Sequence, residues 1–214
     1  MKKAVIFDLD GTLWDSSESV CGAWNEVFAR YPEITHRLTP ADVRGFMGKT
    51  IDRIYPIALP DTPDELRRSV LGECALYELE YIEKHGSRLY PKLSETLGQL
   101  RREYSLMIVS NCQDGYIQCF LRYSGLGEMF DDFECAGGTG LSKGENIRLV
   151  MERNGIDRAV YVGDTQGDLD AADHAGVPFI RAAYGFGSMN RAVPEICGFD
   201  GLLQAARQIL GAEE

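Results

Sequence analysis

Four short runs in this chain are apolar at every position: residues 4–7, 106–109, 159–162 and 177–180. A strand with one wet face alternates polar and apolar side chains. Runs with no polar break therefore predict strands buried on both faces, as in a parallel sheet covered by helices. The segments between them carry helical period instead. Leu93, Leu97 and Leu100 fall at i, i+4, i+7, and Ile147, Val150 and Met151 at i, i+3, i+4. Near the end, Leu202, Leu203, Ala206, Ile209 and Leu210 make one stripe. Strands alternating with helices predict an α/β fold with a doubly wound, Rossmann-like parallel sheet.

One interval breaks the alternation. Residues 15–86 hold no strand-like run, only helical patterns punctuated by Pro32, Pro40, Pro56, Pro60 and Pro63. The longest pattern puts Leu66, Val70, Cys74, Tyr77 and Tyr81 on one face. The expected organisation is a core domain of residues 1–14 and 87–214 with a helical subdomain, residues 15–86, inserted between. Residues 14–16 and 87–91 are its expected hinges.

Charge and cysteine usage narrow the partners. A formal charge of −11 in 214 residues argues against nucleic acid and against anionic membrane surfaces, both of which need a basic face. Anionic ligands then require a local concentration of positive charge. Six cysteines without a CxxC, three histidines without metal-ligand spacing and no export signal at the N-terminus predict free thiols and a cytoplasmic protein.

In open α/β sheets, ligands bind at the carboxyl ends of the strands. There the sequence places Asp8-Leu9-Asp10-Gly11-Thr12 after the first strand and Ser110-Asn111 after the second. Gly163-Asp164-Thr165-Gln166-Gly167-Asp168 follows a later one. Any one of these alone reads as a turn or a helix cap. Together they bring four carboxylates to one edge, where like charges repel unless a cation compensates. Oxygen-only ligands favour Mg²⁺ over zinc or copper.

The chain resembles the haloacid dehalogenase-like hydrolases, in particular phosphatases with a small helical cap after the first motif. Asp8-Leu9-Asp10-Gly11-Thr12-Leu13 matches the first motif, Ser110 the second, Lys143 the third, and Asp164 with Asp168 the fourth. A departure is Gly144-Glu145-Asn146 after the lysine, where many relatives carry Pro-x-Pro.

The resemblance implies a phosphomonoester hydrolase acting on a small phosphorylated metabolite such as phosphoglycolate. Asp8 would be the nucleophile, forming an aspartyl-phosphate, and Asp10 the general acid and base. Mg²⁺ would bind Asp8, the Asp10 backbone carbonyl and Asp164, with Asp168 acting through water or by orienting Lys143. Ser110 and backbone N–H groups around Gly11, Thr12 and Asn111 would hold the phosphoryl oxygens. The segment Gly45-Phe46-Met47-Gly48-Lys49-Thr50 lies where relatives place a substrate-facing cap loop, and Lys49 or Arg44 could meet an anionic substrate there. Two alternatives share this catalytic set: a sugar-phosphate phosphomutase and an inorganic pyrophosphatase. A phosphate-accepting signalling module is a third, disfavoured because such domains are shorter and have no use for Asp10.

Overall fold

A computed structural model describes residues 1–211. The all-apolar runs become the centre of a six-stranded, wholly parallel sheet. Its strands are β1 (Lys3–Phe7), β4 (Ser105–Ser110), β5 (Asp132–Cys135), β6 (Arg158–Gly163), β7 (Phe179–Ala182) and β8 (Glu195–Ile196). The order is β5-β4-β1-β6-β7-β8. From β1 the chain first builds outward through β4 and β5, then returns to β1's other side with β6. The reversal leaves a crevice at the carboxyl end of β1, between β4 and β6, where doubly wound sheets bind ligands. In register, Phe7 lies opposite Ile108 on one side and Val162 on the other. The three motif-bearing strand ends therefore emerge side by side.

Helices cover both faces. On one face, Val5, Phe7, Leu106, Ile108, Val160 and Val162 belong to the larger apolar core; on the other, Ala4, Ile6, Met107, Val109 and Tyr161 pack with Ile147, Val150 and Leu169. The latter three come from α8 (Lys143–Arg153) and α9 (Gln166–Ala175). The expected stripes also form helices: α5 (Leu93–Leu100) buries Leu93, Leu97 and Leu100, and α10 (Leu202–Leu210) buries Leu202, Ala206 and Leu210.

Four helices fill the strand-free interval: α1 (Ser17–Phe28), α2 (Pro40–Phe46), α3 (Ile51–Ala58) and α4 (Asp64–His85). Pro40 opens α2 behind a Thr39 capping box, where a missing N–H costs nothing. The chain enters and leaves this block through a two-residue antiparallel ribbon, β2 (Trp14–Asp15) against β3 (Arg88–Leu89), which falls at the expected hinges. Arg88 donates to Asp15 across it at 2.7 Å. The block lies against the core domain: α4 packs on α6 (Tyr116–Ser124), and the Gln113 amide donates to the Ala75 carbonyl at 2.8 Å.

The buried stripe of α4 differs from the expected one. It runs Val70, Leu71, Cys74, Glu78 and Ile82, with Leu66, Tyr77 and Tyr81 only half-buried. A carboxyl group thus occupies a place that the pattern assigns to an aromatic ring. Among the described residues no helix is long and apolar enough to cross a membrane.

Candidate active site

Asp8 sits one residue beyond β1, 2% exposed, with its N–H donated to the Val162 carbonyl of β6. Lys143 opens α8 and reaches it from the side: its Nζ donates to Asp8 Oδ1 at 2.9 Å and to Asp168 Oδ1 at 2.5 Å. A capping box, Ser142 with Glu145, fixes that first helical turn. Burial works against the Lys143 charge, but the Asp168 and Asp8 carboxylates outweigh it and hold its pKa well above the usual lysine range. The expected lysine is therefore a buried cation between two carboxylates.

Asp168 is fully committed. Its Oδ2 accepts from the N–H groups of Asp164 and Thr165 and from the Thr165 hydroxyl, at 3.2, 2.9 and 2.7 Å, as part of the α9 capping box. Asp164 is the opposite case. Its Oδ2 accepts the Phe186 N–H at 2.6 Å, while Oδ1 is buried with no partner. Oxygens of Asp8, Asp164 and Asp168 all lie within 4.8 Å of one another. Burial, then Asp168, raise the Asp8 pKa to about 7 against the pull of Lys143; burial with Asp168 and Asp8 raises Asp164 as well. An orphaned carboxylate oxygen among three clustered acids and one lysine fits a hard divalent cation, which would supply the missing partner and positive charge. Two glycines make the approach to Asp164 possible. A Cβ on Gly11, at φ +85°, would stand 2.3 Å from Asp164 Oδ2, and one on Gly185 would stand 2.3 Å from Asp164 Cβ.

Asp10 stands outside the carboxylate cluster. Its Oδ1 accepts from Trp14 Nε1 at 2.8 Å, from Tyr116 OH at 3.1 Å and from the Ser16 hydroxyl. Three donors on one oxygen pin the carboxyl of Asp10, which lines the cavity. Burial raises its pKa to about 6, against those three hydrogen bonds. Trp14 packs edge-on against Tyr116 and Phe120 of α6 and orients Asp10 as well.

Asp8, Asp10, Ser110, Asn111 and Lys49 line one cavity. Gly11 and Thr12 do not, contrary to expectation, and the turn itself is the reason. Gly11 N–H donates to the Trp14 carbonyl at 2.8 Å and Thr12 N–H to the Leu9 carbonyl at 3.2 Å. The Thr12 hydroxyl is buried without a partner. Asn111 spends its amide on the Gly48 carbonyl at 2.9 Å, tying the α2–α3 loop to the core. Lys49 is exposed at the rim, its ammonium donated to the Gly45 carbonyl. Arg44 pairs with Asp15 at 3.5 Å. Three groups at the site carry no motif. Glu78 looked like a solvated helix residue, and Tyr116 carried no motif. The Phe186 N–H, in the loop after β7, is a backbone donor and leaves no side-chain signature.

A doubly wound sheet with clustered aspartates and a buried lysine at its carboxyl edge defines a hydrolase-type phosphate or acyl site rather than a dinucleotide site. The sequence profile of the haloacid dehalogenase-like hydrolases matches residues 5–182, and the chain belongs to that family. It is 29% identical to a phosphoglycolate phosphatase of Synechococcus elongatus over 97% of this chain and 99% of that one. It is 28% identical to the pyrophosphatase PpaX of Bacillus velezensis over 85% and 83%. A predicted phosphoglycolate phosphatase from Haemophilus somnus has the same fold, with a TM-score of 0.81 at 22% identity over 96% of this chain and 98% of that one.

Proposed function

We propose that the protein is a Mg²⁺-dependent phosphomonoester hydrolase of small phosphorylated metabolites, working through an aspartyl-phosphate on Asp8. The observation that carries this reading is the buried Asp8–Lys143–Asp168 chain beside the unpartnered Asp164 Oδ1. Asp8, Asp164, the Asp10 carbonyl and, through water or through Lys143, Asp168 would hold Mg²⁺. When bound, the ion neutralises the carboxylates and the phosphoryl oxygens.

The side chains divide the remaining work. Lys143 holds Asp8 in one rotamer and lends positive charge to an incoming phosphate. Asp8 Oδ2 makes no hydrogen bond to a described residue and is the free nucleophilic oxygen. Ser110, at the end of β4, and the N–H groups of Leu9 and Asp10 offer donors to the phosphoryl oxygens. Asp10 protonates the leaving alkoxide through Oδ2 and then accepts the proton of the attacking water; a pKa near 6 suits both directions at neutral pH. Residues 15–86 act as a cap, with the β2–β3 ribbon as its stalk.

The names of the relatives put 2-phosphoglycolate among the candidate substrates. Pyrophosphate is a second reading, supported by the PpaX likeness and by Lys49 at the cavity rim. Six unpaired cysteines support a reducing, cytoplasmic setting. Turnover of p-nitrophenyl phosphate should require Mg²⁺ and vanish in excess EDTA; full activity in EDTA would remove both the metal and the reading.

A further inference from the structure

The cavity over Asp8, about 80 Å³, has an unusual wall. Val20, Trp24, Val43, Phe46, Met47 and Ile54 give it an apolar surface, with Trp24 stacked on Phe46 at 6.2 Å. Within that wall stands one carboxyl group, Glu78 of α4, 7% exposed. Trp24 Nε1 donates to its Oε2 at 2.5 Å. Its Oε1 takes no hydrogen bond from any described residue and is not among the sealed, unpartnered atoms, so it keeps access to the cavity it lines. No cation answers it. Lys49, the one basic residue on this cavity's lining among the described residues, lies exposed at the rim, and Lys143 is held between Asp8 and Asp168.

A wall that served packing alone would carry leucine or methionine here, because a buried carboxyl with a free oxygen costs stability. Burial pushes Glu78 up to about 8, against the Trp24 hydrogen bond and with a smaller contribution from Asp10. The free oxygen accepts as a carboxylate, the form that a hydroxyl or ammonium donor in the cavity stabilises against that burial. Asp10, the proposed acid for the leaving oxygen, and Glu78 line the same cavity, so a short alcohol leaving beside Asp10 shares that space with Glu78.

We propose that Glu78 is a specificity-determining residue for the leaving alcohol. It accepts a hydrogen bond from a hydroxyl or ammonium donor at the far end of a short, otherwise hydrocarbon moiety, and it disfavours an anionic group there. This rests on the phosphomonoesterase reading and, among its candidate substrates, ranks 2-phosphoglycolate below esters that carry a donor at that end. A substrate carboxylate in the same place would meet Glu78 and Asp10 within an apolar wall, without a basic partner. The small volume limits the moiety to a few non-hydrogen atoms.

The test compares kcat/KM, with Mg²⁺, for four esters of one chain length: ethanolamine phosphate, 2-hydroxyethyl phosphate, ethyl phosphate and 2-phosphoglycolate. The expected ranking puts the two donor-bearing esters about tenfold or more above the other two, the scale of one buried hydrogen bond. Glu78→Leu should erase that margin. Glu78→Gln should keep it for the hydroxyl, which an amide oxygen still accepts, and reduce it for the ammonium, which loses its charge partner. Loss of margin for only one donor identifies which of the two the site prefers. Equal or better turnover of 2-phosphoglycolate, or one common loss factor for all four esters in Glu78→Leu, would overturn the proposal. Should the leucine variant not fold, the wild-type ranking and the glutamine variant decide. No turnover of any ester, p-nitrophenyl phosphate included, would overturn the phosphomonoesterase reading and this proposal together.

Discussion

Two residues apart on the chain, Asp8 and Asp10 are held in ways that separate their tasks. Asp8 bonds a lysine and lies in the acidic cluster. Asp10 is turned out of that cluster by Trp14, Tyr116 and Ser16, all acting on one oxygen. The account assigns nucleophilic attack to the first and proton transfer to the second. Their variants should then fail differently. Asp10→Asn should slow an alkyl phosphate by roughly 10² or more, the usual scale of general acid catalysis. An aryl phosphate, whose nitrophenolate leaves as a stable anion, should keep its first step. Equal losses on both substrates would reduce Asp10 to a structural residue.

At the level of elements, legibility followed burial. The central strands were readable because burial on both faces leaves no polar position. The edge strand β5 escaped because Asp132-Phe133-Glu134-Cys135 is half-polar, its acids bonded to Arg153 on the neighbouring α8. The acids at the strand ends were readable because such sheets bind ligands there; of the groups that orient them, Trp14 and Ser16 lie near Asp10 in the chain, whereas the Tyr116 hydroxyl and the Phe186 N–H leave no pattern. On α4 the periodicity was right and the face was off by one position, since a glutamate at 78 weighs toward solvent in any pattern, yet the fold turns it inward. That inversion has a thermodynamic signature. With its folded-state pKa near 8, above the ordinary 4.5, Glu78 stabilises the fold below pH 4.5 relative to higher pH. That contribution is lost as pH rises toward 8, at about 1 kcal/mol per pH unit. Glu78→Gln cannot titrate, so its stability relative to wild type should climb between pH 5 and pH 8 in urea unfolding. A difference independent of pH would show that Glu78 is ionised throughout.

For the whole molecule, the helical block closes the site and its stalk is thin. Asn111 to Gly48, Gln113 to Ala75 and Arg122 to Glu83 are among the polar ties between block and core. We expect the cap to move as substrate enters and phosphate leaves past them. Hydrogen exchange in the α2–α3 loop should slow when Mg²⁺ and fluoroberyllate are added together. Unchanged exchange and unchanged solution scattering would mean that the cap is a fixed wall. The central claim, however, is chemical: phosphate passes through Asp8. The most direct measurement is a rapid acid quench of Asp10→Asn turning over p-nitrophenyl phosphate labelled in the phosphoryl group, with Mg²⁺ present. The variant can form the phosphoenzyme but cannot activate water to clear it. A burst of nitrophenol approaching one equivalent per chain, with the label recovered on the peptide containing Asp8, is the predicted result. A linear time course without a burst, or label on any other residue, would contradict it.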